Sequence, residues 1–147
     1  MTRNTNTCHK EICDASQLRA SRLKQWPCKI SFVPESAPYF DGAVLLIAAD
    51  CTAYAHGNFH FEFMKNAITL ITCPALNSGD IRKKLGAIIS QNDIKEMKIL
   101  RMETSCCEKL EGLVMGALLD CEKKIPVEMI TLSTNGKILG QSILKGK

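Results

Sequence analysis

Ala43-Val44-Leu45-Leu46-Ile47-Ala48-Ala49 is an unbroken apolar run that stops abruptly at Asp50-Cys51-Thr52. A strand apolar at every position, rather than at alternate ones, is one covered on both faces, the condition of a central strand in a parallel sheet. Ile68 to Thr72 and Met97 to Met102 repeat the pattern. Each is followed within a few residues by cysteine: Cys73 in the first case, the adjacent Cys106 and Cys107 in the second. Strands that run parallel end on one edge of their sheet, so these three and Cys51 are expected there together.

The segments between the runs carry helical periodicity. Ile81, Leu85, Ile88 and Ile89 fall on one face of a helix that Asn92 stops, with Asn77 three positions ahead of Asp80 as a relative of the capping box. Leu110, Leu113, Val114, Ala117, Leu118 and Cys121 form a second stripe, opened by Ser105 and Glu108 at capping-box spacing. Cys106 and Cys107 are then expected in a first helical turn, where unpaired N–H groups and the helix dipole favour thiolate over thiol. Asn58 is expected to cap a short aromatic helix through Lys65. Val127 to Ser133 reads as another strand, Asn135-Gly136 as a hairpin signal into an edge strand around Lys137 to Leu144, and Lys29 to Val33 as a short strand between Pro27 and Pro34. The sum is an α/β fold, a Rossmann-like three-layer sandwich with a mostly parallel sheet and a C-terminal hairpin strand.

Residues 1–15 read as an N-terminal tail and 16–147 as one domain, long enough to bury a core without disulfide staples. The composition, 46% hydrophobic and 23% charged, is that of a globular protein and not of a disordered one. Eight scattered cysteines, with no signal peptide and no apolar run long enough to span a membrane, point to a reducing cytoplasm. The net charge of +4 is spread over Arg19 to Lys29, Arg82 to Lys84, Lys145 and Lys147. No basic-aromatic interleaving accompanies it, so nucleic acid is not an expected partner.

In open parallel sheets, ligands bind outside the carboxyl ends of the strands at a topological switch point. Asp50-Cys51-Thr52-Ala53 stands where a dinucleotide-binding glycine fingerprint would begin, and no Walker A sequence occurs. What the edge offers instead is thiols. Cys51, Cys73, Cys106 and Cys107 are soft donors that could enclose a zinc ion or an iron–sulfur cluster. Neighbouring side chains diverge, so one of the vicinal pair is free to point into the core. Cys121 on the helical stripe and Cys28 before a strand read as packing thiols. Cys8 and Cys13 are too few for a ferredoxin quartet. Of the two histidines after Cys51, His60 is the better ligand or proton carrier, because it falls early in the aromatic helix, while His56 precedes the Gly57 break.

Several stretches together resemble a family of ferredoxin-like [4Fe–4S] cluster-binding proteins found mainly in anaerobic microbes. They are Gln17-Leu18-Arg19, Gln25-Trp26-Pro27, the APYFDGA run at 37–43, the ADCTAYA run at 49–55, Gly57-Asn58-Phe59-His60, Cys73-Pro74 and Cys106-Cys107. The resemblance covers the α/β part, roughly Ser16 to Leu139, and lacks the family's N-terminal ferredoxin cysteines. It implies iron–sulfur or electron-transfer association, with the family's cysteines carried onto Cys51, Cys73, Cys106 and Cys107 and its histidine onto His60. The expected function is thus a domain that binds a metal centre, an iron–sulfur cluster ahead of zinc, and works with a redox partner protein. The alternatives are a thiol redox or sulfur-handling enzyme acting through Cys106 or Cys107 with His60 assisting, and a metal-free interaction domain. The sequence leaves the oligomeric state open.

Overall fold

In the computed structural model, which describes residues 20–76 and 78–144, the apolar runs become neighbouring strands of a five-stranded sheet in the order β2-β1-β3-β4-β5. β1 (Ala43–Ala49) lies between β2 (Ile68–Thr72) and β3 (Ile94–Met102), parallel to both. β3 pairs in parallel with β4 (Val127–Leu132), and β5 (Ile138–Leu144) returns antiparallel to it. Leu45, Leu46, Ile47 and Ala48 are all 0% exposed although successive side chains point to opposite faces, so β1 is covered on both sides.

Helix α1 (Ser78–Gln91) joins β2 to β3, and α2 (Lys109–Asp120) joins β3 to β4. Both crossovers travel in one direction across the sheet while the β1–β2 connection travels in the other. With right-handed crossovers this puts α1 and α2 together on one face, and the connection, with buried Phe59, Phe63 and Met64, on the opposite face. The two helices are tied by Arg82, whose Nε and Nη2 each donate to a different oxygen of Asp120 at 2.7 Å. That fork holds the Asp120 carboxyl below the usual carboxylate range. Gly116 makes room for it, since a Cβ there would lie 2.8 Å from the guanidinium carbon.

Four expected elements differ in detail. Lys29 to Val33 is not a strand: Lys29 makes one isolated parallel bridge to Ile71, and Ile30–Phe32 then coils into a 3-10 turn. The flanking prolines at 27 and 34 confine the extended chain to a few residues, too few for a ladder. β3 begins at Ile94, three residues before the apolar run, because backbone pairing to Ala43 and Val44 does not require Lys95 and Glu96 to be apolar. β4 stops at Leu132, where Ser133 turns to receive the Lys137 N–H on its hydroxyl. The aromatic helix is a single π-type turn, His60–Met64. Asn77, the tail at 1–15, Cys8 and Cys13 lie outside the described residues. Among the described residues no helix is long and apolar enough to cross a membrane.

Candidate functional site

The Asp50 N–H donates to Thr72 O at 2.9 Å, which keeps the ends of β1 and β2 level. Beyond Asp50 the chain turns into a short helical segment, Thr52–Ala55. Thr52 pins that turn from inside: it is fully buried and its hydroxyl donates to Ala49 O at 2.7 Å. Cys51 is left exposed at the point where the connections leaving β1 and β3 diverge, the switch point of the sheet. Cys73 follows β2 and is half-buried. Past β3, Cys106 is exposed with its Sγ 3.1 Å from Thr104 Oγ1, whereas Cys107 is buried. All four cysteines therefore follow strands that end on one edge, and the strands are immediate neighbours, β2-β1-β3. They are not closed into a ligand set. Among the described residues no three His, Cys, Asp or Glu side chains are grouped to hold a metal ion.

The vicinal pair does not sit in a helical first turn as its capping-box spacing suggests. Ser105–Cys107 is a separate 3-10 turn, α2 starts at Lys109, and neither Thr104 nor Glu108 makes a side-chain cap. The Cys107 and Glu108 N–H groups are already committed to Thr104 O and Ser105 O, at 3.0 and 3.3 Å. The expected thiolate at Cys107 is reversed: burial pushes that thiol up, outweighing the opposing hydrogen bond from the Met102 backbone. In metal-free protein near neutral pH, alkylation followed by peptide mass mapping is expected, among the cysteines of the described residues, to label Cys51 and Cys106 first and Cys107 last. Early labelling of Cys107 would show that the turn opens readily.

Neither histidine joins the thiols. His60 Nδ1 accepts the Arg22 N–H at 3.1 Å and its ring meets Phe59 edge-on, which fastens the segment leading into the β2 edge. His56 Nδ1 faces Gly136 O at 2.7 Å, its Nε2 lies 3.1 Å from Glu62 Oε2, and its ring packs on Phe63. Cys121 is a packing thiol, donating to Gly86 O at 3.2 Å and accepting from Ser90 Oγ at 3.1 Å. Cys28 is half-buried, and its carbonyl receives the Ile71 N–H.

Two supports of the edge escape a sequence reading. Asp50 takes the Lys29 ammonium on Oδ2, while its Oδ1 is buried without a hydrogen-bond partner among the described residues. The β4–β5 turn braces the loops after β1 and β3 from outside. Gly136 lies so close to Ala55, beside the Cys51 turn, that an added Cβ would fall 2.0 Å from Ala55 O. Thr134 N–H donates to Glu103 Oε1 at 3.2 Å, ahead of the Cys106 turn. Cross-chain pairs of this kind leave no local spacing to find.

A model of a family described as a Rossmann-like domain matches residues 37–146 of the chain. An uncharacterized protein of Archaeoglobus fulgidus is 30% identical over 119 residues, covering 79% of this chain and 82% of that protein. No solved structure matches.

Proposed function

The chain belongs to the Rossmann-like domain family, and from that premise we propose that it binds a metal centre at the carboxyl edge of β2-β1-β3, an iron–sulfur cluster in preference to zinc, and serves electron transfer with a redox partner protein. The observation that carries the reading is strand order. Neighbouring strands are about 4.8 Å apart, so the ends of β2 and β3 flank β1 within about 10 Å, close enough for thiols at their loops to meet over Cys51. The resemblance of the 37–43 and 49–55 runs to ferredoxin-like iron–sulfur proteins supports the same reading, as do thiols left free, which suit a reducing cytoplasm.

Cys51, Cys73 and Cys106 would hold the group, since each retains exposed surface. Cys107 would join only if its 3-10 turn unwound. A bound cluster would supply one-electron chemistry. The residues themselves set its surroundings: Thr52 and the Gly136 turn fix the Cys51 loop, and the Lys29–Asp50 ion pair ties the end of β1 to the segment bridged to β2. Because the thiols are not yet gathered, binding would draw the loops after β1, β2 and β3 together.

The test is anaerobic reconstitution with iron and sulfide, with zinc in parallel, followed by metal and labile-sulfide analysis per chain. Iron and sulfide should be retained by wild type and by Cys121→Ser, and lost or strongly reduced in Cys51→Ser, Cys73→Ser and Cys106→Ser. Retention of zinc alone would replace the cluster with a zinc site. Retention of neither would remove the metal reading.

The 3.1 Å contact of Cys106 with Thr104 favours one second reading, thiol chemistry at Cys106. It predicts that added hydrogen peroxide oxidises the Cys106 thiol to a sulfenate, the peroxide being reduced to water, and that Thr104→Val slows this step in metal-free protein.

A further inference from the structure

At the far side of the sheet, β5 presents a bare edge. Six of its seven residues, Ile138 to Ile143, are exposed, with Leu139 56% and Ile143 68% accessible. Edge strands are commonly guarded by charge, proline or a bulge. β5 contains neither charge nor proline, and its one bulge lies at its start, between Ile138 and Gly140 opposite Leu132 and Thr131, which leaves Gly140 to Leu144 regular. Beside its end runs an apolar groove of about 570 Å³ whose lining includes Met115, Leu118 and Leu119 of α2 together with Ile143 and Leu144.

The sequence of the strand is what selects an occupant. Ile138-Leu139-Gly140-Gln141-Ser142-Ile143-Leu144 is symmetric in character about Gln141. Laid antiparallel on a second copy with Gln141 opposite Gln141, it sets Leu139 against Ile143 and Gly140 against Ser142. Opposed residues in such a pair point to the same face. Leu139 and Ile143 would then close one face. We propose that β5 pairs with β5 of a second copy of this chain, about a twofold axis at Gln141, to give a continuous ten-stranded sheet.

Exposed Leu119, Ile138, Leu139 and Ile143 supply about half of the roughly 800 Å² per partner that a stable interface buries, and the strand edge and groove rim supply the rest. The arrangement goes beyond the metal reading and leaves the cysteine edge of each copy open.

Light scattering on a sizing column across a concentration series tests it on metal-free protein, so its outcome is independent of any metal. Wild type should be dimeric at tens of micromolar. Leu139→Lys and Ile143→Glu should each weaken the dimer by about tenfold or more, because each sets a charge against an aliphatic side chain in both symmetric pairs. An equimolar mixture of the two variants should restore the dimer, since each heterodimer holds one Lys–Glu pair and one native Leu–Ile pair. Circular dichroism of each variant, together with the rescue, separates dissociation from unfolding. A monomeric wild type, a dimer indifferent to both charges, or failure of the mixture to restore it would overturn the proposal.

Discussion

Gly136→Ala is expected to lower stability by about 2 to 5 kcal/mol, read from the shift of the urea midpoint at constant slope. Two independent costs meet at this position. Gly136 has φ +87°, a conformation that an L side chain adopts only with strain. Its missing Cβ is also what lets the turn lie on Ala55, and a methyl there would sit 2.0 Å from a carbonyl oxygen, which cannot swing aside as a flexible side-chain tip can. The turn must lift. Lifting it stretches the 2.7 Å contact of His56 with Gly136 O and the bond from Thr134 to Glu103, so the effect is expected to reach the site. Cys51 and Cys106 should alkylate faster in this variant than in wild type under the same native conditions. A midpoint within about 1 kcal/mol of wild type, with unchanged labelling, would mean that the turn does not bear on the cysteine loops.

The same turn shows where the sequence is legible and where it stops. Asn135-Gly136 announces a hairpin, and a hairpin is there, but only Gly136 is left-handed and the Gly136 N–H closes on Ser133 O at 2.9 Å. This is the longer hairpin turn in which glycine follows an ordinary turn, not the two-residue turn in which Asn is left-handed as well. Its docking on Ala55, 81 residues away, leaves no trace in local spacing.

β1, β2 and the stripe of α2 were readable because burial on two faces, or on one helical face, writes itself directly into residue type. The edge-sharing of Cys51, Cys73, Cys106 and Cys107 followed from the parallel strands alone. That β1 stands between the other two did not, because strand order depends on which way each crossover travels. The capping box at Ser105 misled for a related reason. Ser and Glu three apart satisfy a helix start only if the backbone between them is helical, and here Thr104 and the thiol of Cys106 take up the local hydrogen bonding ahead of α2. Cys107 then turns inward, where burial and not a helix dipole governs its proton.

Phe40→Ala is expected to cost about 3 to 5 kcal/mol, while the adjacent Tyr39→Phe should be neutral or stabilising by up to about 1 kcal/mol. Both residues belong to the 3-10 turn Pro38–Phe40 that delivers the chain into β1. Phe40 is among the largest side chains at 0% exposure, so truncation removes a full aromatic volume that its neighbours, already in regular elements, cannot refill. Tyr39 packs its ring against Phe40 with centroids 4.7 Å apart, but among the described residues its buried hydroxyl has no hydrogen-bond partner. Burial of that hydroxyl is also why the Tyr39 pKa is raised. Deleting it keeps the ring contact and removes a desolvated polar atom. Urea unfolding of the two variants side by side reads the contrast. A Tyr39→Phe cost above about 1 kcal/mol would reveal a partner for the hydroxyl, and a Phe40→Ala cost below about 1.5 kcal/mol would mean that the turn leading into β1 collapses onto the void.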